Sequence, residues 1–491
     1  MSDLPKGWAK SQFKDFCDII GGSQPPKKEF IFEPREGYIR LIQIRDYKSD
    51  KHLTFIPIKS ARRFCSVDDV MIGRYGPPLF QILRGIEGSY NVALMKAVPK
   101  SNEIIDNNFL FYLLQNTPLK NYIIGVSERT VGQDGVRKDL LEEYEISIPP
   151  LNEQKRIVTK LKALLSRVDA SKERLEKIPK ILKRFRQSVL AAACSGKLTA
   201  DWRAKNGNGE DVLQIIENLK QSRILKAKNA NEQEKIQSIY EFVEKNDLEN
   251  LPDNWSFISL NRLCESFNYG TSTKSESTGL VPVLRMGNLQ NGELDWTDLV
   301  YTSDKTEIEK YNLKPNTVLF NRTNSPELVG KTSIYRGERA AIFAGYLIRI
   351  NNFDCLDSEY LNYCLNTNYA REFCSQVKTD GVSQSNINAQ KLGLFEIPFC
   401  PLPEQKEVVR RVEDLFKFAD SIEERFNRAK AQVDKLTNSI LAKAFRGELV
   451  EQDDADEPAS VLLERIKAEK ETNQAKTPTK RTSASQGKLF R

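Results

Sequence analysis

Between Val412 and Ile440 the apolar positions fall at Val412, Leu415, Ala419, Ile422, Phe426, Ala429, Val433, Leu436 and Ile440, in alternating steps of three and four. That spacing is a heptad seam, a narrow apolar stripe along one side of a helix that calls for a second helix against it. Subtracting 251 from each position gives Leu161, Leu164, Val168, Ser171, Leu175, Ile178, Leu182, Phe185 and Val189, the same seam with one polar break at Ser171. The pattern predicts a helix from about Glu153 to Ala193, roughly 60 Å long at 1.5 Å per residue, and a twin in the second stretch. Two matched seams in one chain should pair. Because a whole globular segment separates them, the expected arrangement is an antiparallel coiled coil about a pseudo-twofold axis. Gly196 and Gly447, just beyond the last seam positions, suit helix ends. Pro179 stands where the second stretch has Lys430; it removes a backbone hydrogen bond and should kink the first helix.

The correspondence extends beyond the seam. With residues 150–199 set against 401–450 without a gap, 16 of 50 positions are identical, among them Pro150, Leu151, Glu153, Gln154, Lys155 and Gly196. Each stretch follows a segment opened by a similar signpost, Leu4-Pro5-Lys6-Gly7-Trp8 in the first and Leu251-Pro252-Asp253-Asn254-Trp255 in the second. A period this long is not that of a solenoid, and it reads as a tandem duplication. Short apolar runs from Tyr38 to Ile44, Val70 to Tyr75, Val281 to Met286 and Thr317 to Phe320 predict strands, with amphipathic helices near 107–119 and 358–374. Each globular segment is therefore expected to be α/β (α+β). The two segments share this plan, including Gly135-Val136 and Gly381-Val382 before a last strand, but little residue identity. A weaker echo at 211–216 and 459–464 predicts a further short helix in each copy. The expected organisation is globular at 1–150, helical at 151–200, a helical linker at 201–250, globular at 251–400, helical at 401–450, and a short helix with a flexible basic tail at 451–491. The tail, from 472 on, has no apolar periodicity.

Composition narrows the class. With 491 residues each half can bury its own core. No run reaches the length of a membrane span and the start has no signal-peptide pattern, so a cytoplasmic protein without membrane association is expected. The eight cysteines form no Cys-x-x-Cys pair and His52 is the only histidine, which argues against a zinc site, histidine-based catalysis or a disulfide framework. The net charge of +7 has the sign expected for a polyanionic partner, although solvated faces account for much of it. There is no phosphate-binding Gly-x-x-x-x-Gly-Lys-Ser/Thr loop, and no Asn-Pro-Pro-Tyr or Asp-Pro-Pro-Tyr tetrapeptide of the kind amino-methyltransferases use. The acidic residues form no nuclease-like cluster.

What recurs instead is polar and basic chemistry in the loops of the globular segments. The second segment carries Arg322, Thr323, Asn324, Ser325 and Lys331 after a predicted strand, then Ser383, Gln384 and Asn386 after Gly381. The first carries Arg74 and Tyr75 between Gly73 and Gly76, then Arg129, Thr130 and Gln133 before Gly135. Arginine can read guanine through two parallel hydrogen bonds, Asn and Gln can read adenine, and Ser, Thr and Lys hold phosphates. These are the candidate DNA-binding residues. The same residue types also build ordinary turns, so each loop alone admits either reading.

Pro150-Leu151-Asn152-Glu153-Gln154-Lys155, the run from Ile178 to Leu190, Gly196-Lys197-Leu198-Thr199, and their counterparts Pro401-Leu402-Pro403-Glu404-Gln405-Lys406 and Ser439 to Leu449 resemble the two conserved regions of DNA specificity subunits of type I restriction-modification enzymes. The Leu-Pro-x-x-Trp openings and the 320–331 loop resemble that family's target recognition domains. The resemblance covers nearly the whole chain. It implies a noncatalytic subunit in which each recognition domain reads one half of a bipartite double-stranded DNA target. The helices would set the gap and dock two methyltransferase (modification) subunits, to which two restriction (nuclease-translocase) subunits add. S-adenosylmethionine, ATP and magnesium would then belong to those partners, with no cofactor and no metal in this chain. Pro179 falls within a motif the family also carries, which makes it an intended kink. Against this stand a fused methyltransferase or restriction enzyme, which the missing motifs oppose, and a noncatalytic coiled-coil protein scaffold, which predicts no salt-dependent DNA binding.

Overall fold

The two seams form two long helices, Leu151–Cys194 and Leu402–Ala444. The computed structural model describes residues 4–76, 78–127, 135–207, 209–241, 251–382 and 384–475. These fold into two units, one built from residues 1–176 with 428–491 and the other from 177–427. Each unit thus holds one globular head, the first part of the helix that follows it and the last part of the other helix.

In the first unit Ile157, Val158 and Leu161 share a core with Leu441 and Ala444. In the second, Val189, Leu190 and Ala193 share one with Val408 and Val412, and Arg186 donates to Asp420 at 2.6 Å and Glu423 at 3.2 Å. Early residues of one helix meet late residues of the other, so within each unit the two segments run antiparallel. Burial follows the seam at Leu161, Val168, Leu182, Val189, Val412 and Ala419. It departs from the seam toward the helix ends, where Leu436 is 42% exposed and Leu441 and Ala444 are buried instead. The cause is a change of neighbour: the last turns pack into a head, with Phe445 edge-on to Phe109 at 5.6 Å. Leu190 and Ala193 make the same departure in the first helix. The first helix runs through Pro179 without ending there.

Each helix stops at a glycine in the left-handed region, Gly196 at φ +69° and Gly447 at φ +75°. Both lie against the proline of a Leu-Pro signpost. A Cβ on Gly196 would come within 2.5 Å of Pro252, and one on Gly447 within 2.5 Å of Pro5. Only glycine tolerates both the backbone conformation and the contact. Gly196→Ala and Gly447→Ala are each expected to lower unfolding stability by about 1–2 kcal/mol or more, read as a shift of the denaturation midpoint.

The heads repeat one topology under different sequences. In the first, strands Cys17–Gly21, Leu94–Pro99, Val70–Gly73 and Ile82–Arg84 form an antiparallel sheet in that order. In the second, Cys264–Tyr269, Leu347–Asn352, Thr317–Asn321 and Thr332–Tyr335 form its equivalent. Each head has a second sheet with one parallel pair, Tyr38–Ile42 with Gly88–Tyr90 in a sheet of four strands and Val281–Leu284 with Ile342–Phe343 in a sheet of three. The entry strand of each head pairs with its exit strand, Ala9–Gln12 with Glu145–Ile148 and Ser256–Ser259 with Glu396–Phe399, so every head closes where its long helix begins.

Several expected elements are shorter than the pattern suggested. The helix near 107–119 is two, Asn107–Leu113 and Thr117–Ser127, because Pro118 fits the first turn of a new helix but cannot extend an old one. The helix near 358–374 is also two, Ser358–Leu365 and Asn368–Val377, with the Thr367 hydroxyl accepting from the Ala370 amide to start the second. The echo at 211–216 opens the helix Val212–Lys226, which is followed by Ala230–Glu241. The rest of the expected linker, 242–250, lies outside the described residues. The last helix is Ala459–Ala475, so the expected tail is helical over 472–475, and 476–491 lie outside the described residues. Among the described residues no helix is long and apolar enough to cross a membrane, and the eight cysteines are free thiols.

Candidate nucleic-acid interface

The motif shared by the helix starts is a clamp that fixes each head on its helix. Glu153 is buried and its carboxylate accepts from Trp8 Nε1 at 3.1 Å. Gln154 accepts from the Asp106 amide at 2.8 Å and donates to the carbonyls of Ile104 and Pro149. The second copy repeats every contact: Trp255 Nε1 donates to Glu404 at 3.0 Å, and Gln405 accepts from the Asp357 amide while donating to Cys355 and Cys400. Asp106 and Asp357 in turn cap the helices that follow them. The signpost tryptophan and the Glu-Gln pair, far apart in sequence, are therefore one joint. Its two copies differ in charge. Glu404 also takes Arg203 and, at 2.7 Å, the Thr199 hydroxyl, whereas the position equivalent to Arg203 in the first copy is Asp454. Burial consequently raises the Glu153 carboxyl above its ordinary value, only partly offset by Trp8 and Arg156.

Beyond this joint, at the far end of the central strand of each head, lie the predicted arginines. Arg74 follows Val70–Gly73; its amide donates to the Ala93 carbonyl at 2.9 Å and its own carbonyl accepts from Val136 at 2.9 Å. Arg322 follows Thr317–Asn321; its amide donates to Tyr346 at 3.0 Å and its carbonyl accepts from Ile387 at 2.9 Å. The residues before them match as well, Gly73 opposite Leu94 and Asn321 opposite Leu347. Arg74 and Arg322 thus occupy one position of a common fold. Each guanidinium lies over a tyrosine ring, Arg74 over Tyr75 at 5.1 Å and Arg322 over Tyr269 at 4.5 Å. Each is half-buried, and among the described residues neither has a hydrogen-bond or ion-pair partner for its side chain, with Nε enclosed and unsatisfied in both. The other half-buried arginines of the heads each have a side-chain partner, Arg40 with Asp50, Arg84 with Asn108, Arg285 with Asp298 and Arg349 with the Asn312 carbonyl, although Arg40, Arg285 and Arg349 also leave Nε unsatisfied.

The fold brings the predicted loops of the second head together. In the second head Thr323–Asn324, Ser385–Asn386 and Thr379–Asp380 form a small three-stranded sheet, in which Asn386 Nδ2 donates to the Thr323 hydroxyl at 2.7 Å. Gln384 is exposed at the tip of that hairpin, next to the fully exposed Val382. The one acid there, Asp380, takes Lys378 and the Ser385 hydroxyl, which hold its carboxyl below the usual range and mask its charge. Asn324 and Ser325 are partly consumed by a turn, the Asn324 side chain accepting from the Ser325 amide and the Ser325 carbonyl from Leu328 and Val329. Lys331 donates to Gln290 at 3.0 Å, on the hairpin return of the main sheet. In the first head Tyr75 bridges to Gly135, which joins the loop of Arg74 to the end of the segment holding Arg129, Thr130 and Gln133. Those three residues and Ser383 lie outside the described residues. Tyr269 and Tyr346, the latter half exposed, belong to the second site but carry no sequence signal, because single aromatics at strand ends are common.

The chain therefore carries two divergent heads of one topology, each clamped to a long helix and each holding an equivalent arginine that has no side-chain hydrogen-bond or ion-pair partner among the described residues. Residues 5–180 and 252–430 match the family described as type I restriction modification DNA specificity domain. The chain belongs to this family. It is 29% identical over 507 residues to the type I restriction enzyme EcoKI specificity subunit of Escherichia coli K12, covering 98% of this chain and 99% of that one. It is 31% identical over 492 residues to the EcoBI specificity subunit of Escherichia coli, covering 96% and 94%. Among solved structures it is similar in fold to the HsdS subunit from Thermoanaerobacter tengcongensis, with TM-score 0.56, 19% identity and coverage of 91% and 98%. A chain from a study of assembly and conformational transition of the type I R-M system gives TM-score 0.63 at 18% identity, covering 91% and 100%. The protein is thus a specificity subunit, a DNA-recognition component and not itself an enzyme.

Proposed function

We propose that each head reads one half of a bipartite double-stranded DNA target, and that the two long helices set the gap between the halves. The observation that carries this is the repeated position: the same sheet end holds an equivalent arginine in two heads whose sequences diverge, as two different half-sites require. Thr323, Asn324, Gln384 and Asn386 are the base-reading candidates of the second head, with Ser325, Lys331 and Ser383 supporting them. Tyr75, Arg129, Thr130 and Gln133 are the candidates of the first head, the last three from their sequence alone. The matched helix surfaces dock two methyltransferase subunits, to which two restriction subunits add. S-adenosylmethionine, ATP and magnesium are assigned to those partners, and the complex works in the cytoplasm, where the DNA is.

The test is a head exchange. Residues 1–150 are replaced by the equivalent segment of a related subunit of different target, and methylation is mapped after co-expression with the methyltransferase subunit. One half-site should change while the other half and the gap persist. A change in both halves, or in neither, contradicts the reading.

A further inference from the structure

Several residues that recur at equivalent positions of the two copies are used up by the fold. The tryptophan, glutamate, glutamine and aspartate of each joint bind one another as described. Gly22 and Gly270 are equivalent in the same sense, since a Cβ there would stand 1.9 Å from the Asn91 carbonyl oxygen in the first head and 2.1 Å from that of Phe343 in the second. Arg74 and Arg322 are not: they have the same strand end, the same two backbone hydrogen bonds, a tyrosine under each guanidinium, and no side-chain hydrogen-bond or ion-pair partner among the described residues. A half-buried guanidinium is costly to leave uncompensated, and stacking on a ring fixes its plane without neutralising it.

A residue kept in both heads serves something both half-sites have in common, whereas what distinguishes the half-sites must be read by the positions that differ. Bases differ between half-sites; the phosphate backbone does not. We infer that Arg74 and Arg322 are equivalent anchors, each taking one backbone phosphate of its own half-site, and that base discrimination falls to the variable residues around them. This rests on the DNA-reading function above. It also turns Arg322 from a candidate guanine reader into a register-setting contact.

The experiment uses the full chain assembled with its methyltransferase subunit. Affinity is measured from 50 to 200 mM salt for a duplex carrying the mapped target, for duplexes with single base-pair changes in each half, and for an unrelated duplex. Arg74→Ala and Arg322→Ala should each weaken binding to target and unrelated duplex by the same factor and reduce the slope of log affinity against log salt by about 0.9. Selectivity at every base pair should be unchanged. Arg74→Lys and Arg322→Lys, which keep the charge, should keep the wild-type slope. Relaxed selectivity at one base pair with lysine as ineffective as alanine would mark a guanine reader and overturn the inference. So would alanine variants that bind as wild type does. If the wild-type complex itself shows no salt-dependent DNA binding, the DNA-reading function falls, and the anchors with it.

Discussion

Removing one heptad from each long helix, residues 172–178 and 423–429, moves the two half-sites closer together without changing either of them. Seven residues shorten a helix by about 10 Å, and stacked base pairs rise 3.4 Å each, so the gap contracts by at most about three base pairs. Deleting matched residues keeps the apolar seam in phase on both helices, so the antiparallel pairing inside each unit is preserved. Affinity for the original target should fall by about 10³-fold or more, toward the nonspecific level, because only one head can then be satisfied at a time. Sequencing of methylated genomic DNA from cells expressing the shortened chain reads both effects. Altered half-sites with an unaltered gap would remove the helices from the role of spacer.

Glu404→Ala should destabilise the second unit by about 3–5 kcal/mol, the cost of stranding a charge whose buried partner has been removed. Arg203 is left with its guanidinium largely enclosed, and Trp255 loses the acceptor for its indole N–H. The same change at Glu153 strands only an indole N–H, and about 1–3 kcal/mol is expected there. Denaturant unfolding of the two variants checks the order. The pH dependence separates the copies further. Burial raises the Glu153 carboxyl in the folded state above its ordinary value of 4.5, so the folded chain holds that proton more tightly than the unfolded chain. This contribution to stability is fully present below the ordinary value and is lost as pH rises through the raised one. Glu153→Gln, uncharged throughout, should therefore flatten the stability profile across that window while changing neutral-pH stability by less than about 1 kcal/mol. A profile identical to that of the parent chain would show that Glu153 does not titrate differently on folding.

How much of this was legible in the sequence depends on whether a residue's job is periodic or individual. The helices were legible almost to the residue, expected from about Glu153 to Ala193 and found as Leu151–Cys194, because a seam sums many weak signals in one phase. Its failures are local: Leu436 was expected inside and lies half outside, since periodicity cannot say that Leu441 and Ala444 will meet a head instead of a helix. The split helices near Asn116 and Asn366 escaped the pattern because amphipathic phase survives a short break, while Pro118 and the Thr367 cap, which mark the breaks, act one residue at a time. Site residues were the least legible. The loops of Arg322 and Asn386 could be nominated by composition, but only strand register places Asn386 against Thr323. The match of Arg74 to Arg322 does not follow the constant offset of the helices and needs the strand register and the hydrogen bonds to Ala93 and Tyr346. The Glu-Gln pair was visible as a repeat without a reason. Its reason, the clamp on Trp8 and Trp255, needed the fold.

The most direct test of the account is to co-express the unaltered chain with the methyltransferase subunit of its own system and to map methylated adenines across the host genome. The account predicts a split motif: two short, different half-sites separated by a gap of fixed length and arbitrary sequence. A contiguous motif, a gap of variable length, or no methylation from a soluble complex of the two subunits would contradict it.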